Sequence, residues 1–148
     1  MNKIVYILLA AIIALSSCSK ENATKEKTYL EFLTGTWDVT LWYGEKLSTG
    51  TSFSYEMGGP NNLNHYIITS DKVMTTYSIS GEYITEFDSP MMFEELDNPV
   101  QYGSIIEGSF GTPESHFGGA FEIINENEII ITTITSNFYS NYKCIRLE

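Results

Sequence analysis

The sequence is short of basic residues, histidine and cysteine. Lysine and arginine together number 8 against 19 Asp and Glu, giving a formal net charge of −11 over 148 residues. A nucleic-acid surface needs a concentrated lysine and arginine footprint, so nucleic acid is excluded as a partner. Two histidines leave little room for a histidine-based metal site, and two cysteines cannot make a disulfide scaffold. Neither a metal nor a cofactor is expected. An apolar run of about 20 residues, the length that spans a bilayer as a helix, is also missing. What is present is 43% hydrophobic and 14% aromatic residues. That suffices for a packed core, and the length fits one domain.

The first segment reads as an address, to be set aside before the fold is considered. Lys3 supplies a positive start, Ile4 to Leu15 is an unbroken apolar run, and Leu15-Ser16-Ser17-Cys18 follows. The tetrapeptide resembles the lipobox of bacterial lipoproteins. The resemblance implies a signal peptide at 1–17 and a lipidated Cys18 as the mature N-terminus, tethered through residues 18–27 to a domain at 28–148. Several acyl chains on one residue make a lasting membrane anchor. Ser19-Lys20-Glu21-Asn22 partly resembles the export signal of surface lipoproteins. The expected place is therefore the cell envelope, at the outer membrane, with exposure at the cell surface as a variant. Losing Lys3 leaves seven basic against 19 acidic residues, a formal charge of −12. Anionic headgroups repel such a surface, so the lipid alone must hold it. Cys144 then has no intramolecular partner.

Thr28-Tyr29-Leu30-Glu31 has the form of a helix capping box, which predicts one short helical turn ending at Gly35. Beyond it the period changes to two, and Thr, Tyr, Ile and Phe dominate. Strands are predicted at 36–43, 48–56, 63–69, 73–79, 82–87, 101–109, 119–125, 128–135 and 140–147. Turn signals include Gly44-Glu45-Lys46, Ser70-Asp71-Lys72, Ser80-Gly81 and Asn125-Glu126-Asn127. Asp88 to Pro99, with two prolines and four acidic residues, reads as a loop or flap with a helical turn at 93–96. Gly111 to Gly119 reads as a flexible stretch. Eight or nine short strands in sequence suggest an all-β, up-and-down antiparallel barrel, because closure removes exposed edges. A β-sandwich is the alternative.

Gly35-Thr36-Trp37 opens the first strand and resembles the Gly-x-Trp signature of lipocalins and related calycin barrels. In that family the tryptophan caps the closed end, and a basic residue of the last strand packs over it. The sole arginine of the chain, Arg146, stands where the resemblance would place it. Gly35, Trp37 and Arg146 are thus the expected barrel-closing set, linked by a cation–π contact worth about 0.5–2 kcal/mol. Two features depart from the fatty-acid-binding branch. No helical lid follows the first strand, and Arg146 is followed by Leu147 and Glu148 rather than by the branch's carboxylate-binding Arg-x-Tyr.

Strand alternation then assigns faces. With Trp37 inward, Val39, Leu41 and Tyr43 follow it, and Trp42 points out as a candidate interface residue unless Tyr29 or Phe32 covers it. Tyr43, His65, Thr75, Tyr77 and Tyr142 are the candidate ligand-lining residues, aromatic or hydroxyl-bearing and suited to a small amphipathic molecule. Catalysis is not expected. His65 and His116 fall on different elements with no nucleophile motif beside either, and the acidic residues of 88–99 fit no calcium loop. The expected function is non-enzymatic binding of a small amphipathic or hydrophobic ligand by an envelope lipoprotein. The alternative is an accessory or inhibitory lipoprotein acting through protein contacts, with a filled barrel as scaffold.

Overall fold

The computed structural model describes residues 26–57, 65–79 and 82–147, with the backbone alone for 75–79 and 82–87. Thr28 caps a single helical turn, α1 (Tyr29–Leu33). Its Oγ accepts from Glu31 N at 3.2 Å, while Thr28 N donates to the Glu31 carboxylate at 3.0 Å. Gly35 then takes φ of +140°, a conformation L side chains rarely adopt, and turns the chain directly into the first strand.

Nine strands follow: β1 (Gly35–Lys46), β2 (Thr51–Glu56), β3 (His65–Ile68), β4 (Lys72–Ile79), β5 (Glu82–Met92), β6 (Ile105–Thr112), β7 (Ser115–Asn125), β8 (Glu128–Ile134) and β9 (Phe138–Arg146). All ladders are antiparallel. β9 returns to pair with β1, so the sheet closes on itself. Closure decides for the barrel against the sandwich. Eight strands make the ring and β2 is extra. β3 takes the edge of β1 at residues 35–38, and β2 takes the same edge at 41–46.

Several boundaries differ from the sequence reading. β1 runs through Gly44-Glu45-Lys46, and the turn falls at 47–50. β5 continues past Asp88 to Met92, so the long connection begins at 93, with turns over 94–97. Met91 N bonds to Asp71 O on the β4 side. Pro90, one residue earlier, therefore directs its missing donor to the other edge, where pairing with β6 starts only at Met91. Gly111 to Gly119 is mostly strand, because β6 and β7 pair from Ile105↔Glu122 to Thr112↔Ser115.

The core fills one end of the barrel. Trp37, Val39, Ile68, Val73, Ile106, Phe110, Phe121, Ile123, Ile129, Ile131 and Cys144 are all buried inside. α1 and the 93–100 segment plug this end: Tyr29 N bonds to Asn98 O, Leu30 N to Leu96 O, and Val100 N to Lys27 O. Phe93 enters from the segment and packs on Phe110 and Phe121 at 5.2 and 4.9 Å between ring centroids.

Candidate functional site

Arg146 locks the plugged end. Its guanidinium lies 4.1 Å from the Trp37 ring centroid and 5.1 Å from that of Phe32. It donates to the carbonyls of Thr34, at 3.3 Å, and Phe32. Trp37 Nε1 donates to Leu33 O at 2.8 Å. The last strand, the first strand and the helix are thus joined around one indole. A Cβ on Gly35 would sit 3.1 Å from the Arg146 guanidinium, so a side chain there would press on the lock. Burial lowers the Arg146 pKa, and an arginine stays cationic at physiological pH regardless.

The other end of the barrel is aromatic. A bulge lies in β1 between Val39, opposite Cys144, and Leu41, opposite Lys143. Thr40 is the extra residue, and its hydroxyl donates to Lys143 O at 3.2 Å. A bulge of one residue reverses the alternation beyond it. Trp42 therefore turns inward, into register with Tyr55 of β2 and Tyr142 of β9. Its ring lies 5.4 Å from Tyr55 and 6.1 Å from Tyr142, the latter nearly parallel at 2°. Tyr66 meets Tyr142 edge-on at 5.3 Å. Phe53 contacts Trp42 at 5.0 Å and Phe138 at 6.2 Å. Gly44 stands opposite Phe53 on one side and Ser140 on the other. A Cβ there would strike Tyr139 O at 1.9 Å, so the close β1–β9 approach requires glycine.

This cluster is only partly covered: Tyr55 is 54% and Phe138 40% exposed. Within it Trp42 Nε1 is buried with no hydrogen-bond partner among the described residues. A buried donor left unpaired costs about 1–3 kcal/mol. Lys46, opposite Phe138, stands exposed at the rim.

The expected ligand-lining residues are divided by the fold. Tyr142 faces the interior and belongs to the aromatic cluster. Tyr43 does not: beyond the bulge it is outward, opposite Asn141. Burial raises the Tyr43 pKa, and Glu122 adds to the shift. The outward reading of Trp42 is corrected by the same bulge. His65 is outward as well, since its β3 neighbours Tyr66 and Ile68 point into the core; its Nε2 lies 3.4 Å from Asp38 Oδ1. Thr75 stands opposite Tyr66 and Tyr77 opposite Ile84 in the backbone register, with side chains outside the described set. Cys18 lies outside the described residues. The sequence missed Phe53, Tyr55 and Phe138 as one cluster, because their meeting depends on the extra strand and on Gly44.

Cys144 is fully buried, and burial with Asp38 nearby pushes its thiol pKa up. Among the described residues, no three His, Cys, Asp or Glu side chains are grouped to hold a metal. No described helix is long and apolar enough to cross a membrane.

No family model and no curated protein matches the chain. Among solved structures, a redesigned β-barrel matches with a TM-score of 0.39 and 13% identity, covering 82% of this chain and 97% of that one. The fold described above stands on the chain's own strand order and closure.

Proposed function

We propose that this chain is an envelope lipoprotein whose barrel binds a small hydrophobic or amphipathic molecule at its aromatic end, without catalysis. The observation that carries the reading is the partly exposed cluster of Trp42, Phe53, Tyr55, Tyr66, Phe138 and Tyr142, with the Trp42 indole N–H unpaired among the described residues. Aromatic walls with a few polar groups are the usual lining of small-molecule sites, and a ligand acceptor could satisfy the donor. The plugged end gives the site a rigid base. A lipocalin-like assignment is supported by the Gly35-Thr36-Trp37 opening and by Arg146 over Trp37. The anchoring rests on the Lys3 start, the apolar run and Leu15-Ser16-Ser17-Cys18. In this reading Cys18 carries the lipid, residues 18–27 are the tether and the outer membrane is the site.

Titration with the neutral fluorophore N-phenyl-1-naphthylamine tests the binding. Saturable enhancement is expected, weakened by Trp42→Ala and unchanged by Glu94→Gln. Absence of saturable binding, or equal binding by Trp42→Ala, would overturn it. The anchor is separable: Cys18→Ala should abolish acyl labelling, and retained labelling would refute it.

A further inference from the structure

The outer wall of the barrel carries a second concavity, distinct from the aromatic end. It is a groove of about 590 Å³ over β7, on the face turned away from the core. Gly118 and Ala120 form its floor. Ile134 and Tyr139 stand on one side and Ile105 on the other. The depression arises because β7 places small residues at outward positions where its neighbours place large ones. Ile105, Ile134 and Tyr139 are 57%, 45% and 40% exposed. Large apolar side chains clustered in a groove, rather than scattered singly, mark an interaction site.

Its charge is of one sign. Glu107 lies opposite Ala120 and Glu122 opposite Ile105, so the two carboxylates are diagonal neighbours on one face of the β6–β7 ladder. Like charges so placed repel. Among the described residues neither makes a salt bridge, and the nearby Lys143 is held by Glu128 at 2.9 Å. A cation seated between the two would relieve the repulsion, while the flanking isoleucines and phenols would cover its apolar neighbours.

We infer that this groove docks a cationic amphipathic segment of a partner protein, one that carries Lys or Arg beside large aliphatic residues on a single face. The segment's basic side chains meet Glu107 and Glu122, and its aliphatic side chains sit on the small-residue floor against Ile105 and Ile134. The net charge of −11 steers such a segment towards the surface, and the groove supplies the specific contact. This inference does not depend on the aromatic end and survives its failure.

Fluorescence anisotropy of a labelled peptide of roughly 12 residues, with Lys and Leu interspersed on one strand face and Ser on the other, tests it on the full chain, with a peptide carrying Glu in place of Lys as control. The double variant Glu107→Gln/Glu122→Gln should weaken binding roughly tenfold or more, whereas Glu94→Gln/Glu95→Gln, which removes the same charge from the plugging segment, should change it less than about twofold. Ile105→Ser should weaken it without altering charge. Equal weakening by both charge pairs would reduce the effect to general attraction and overturn the proposal. So would failure of the Lys/Leu peptide to bind, or unaltered binding by Ile105→Ser. Unchanged thermal unfolding of each variant separates lost contact from lost fold.

Discussion

Two tryptophans five residues apart on one strand sit in opposite circumstances. Trp37 is fully buried, its N–H is bonded to Leu33 O, and Arg146 covers its face. Trp42 is half-buried among partly exposed rings, and its N–H has no partner among the described residues. At the first, the indole N–H is bonded and the packing is closed. At the second, aromatic surface is left over, with a donor unpaired among the described residues. The proposed function assigns stability to the first end of the barrel and ligand binding to the second. The single inserted residue at Thr40 is what allows both indoles to face the same interior.

The largest expected effect separates the two ends by stability. Trp37→Ala should cost about 3–5 kcal/mol in denaturant unfolding, as truncation of a core aromatic does. Trp42→Ala should cost less than about half of that, because its site is only partly closed. Equal losses would erase the distinction. Next comes the lock itself. Arg146→Lys keeps the charge but loses the planar fork that reaches both helix carbonyls, and should cost about 1–2 kcal/mol.

The alkaline limb of stability reports the closed interior through Cys144. Its thiol pKa is raised on folding, so its contribution is fully present below the unfolded value, near 9, and is lost as pH rises beyond it. Cys144→Ala should therefore show a shallower loss of stability above that pH than the parent chain. The folded parent should also resist thiol reagents until denaturant is added. The smallest effect belongs to the rim. Tyr55→Ser, at a 54% exposed position, should alter unfolding by no more than about 0.5 kcal/mol while weakening binding of N-phenyl-1-naphthylamine. Binding lost without stability lost is the signature of the receptive end.

The barrel was legible because its signals are local. Thr28 and Glu31 declare the cap, and hydroxyl-rich alternating strands separated by turns declare a meander. Gly35, Trp37 and Arg146 drew attention as ends of that meander, and the geometry brings them together. The aromatic end was not legible, because it depends on a bulge that carries no proline or glycine signal. Thr40 looks like any strand residue, yet it exchanges the faces of Trp42 and Tyr43. The 88–99 segment misled for a different reason. Its prolines suggested a loop, but Pro90 sits where its edge is still unpaired, so β5 continues through it. The outer groove is a property of β7 next to its neighbours, and no single strand reveals it.

The most direct test uses the two indoles as separate reporters. The Trp37→Phe variant retains Trp42 alone, and the Trp42→Phe variant retains Trp37 alone. With N-phenyl-1-naphthylamine added to each folded variant, Trp42 emission should fall in step with probe binding, whereas Trp37 emission should report a weaker response from a more distant site. Stronger quenching of Trp37 than of Trp42 would place the probe at the plugged end and contradict the division of the barrel into a closed and a receptive half.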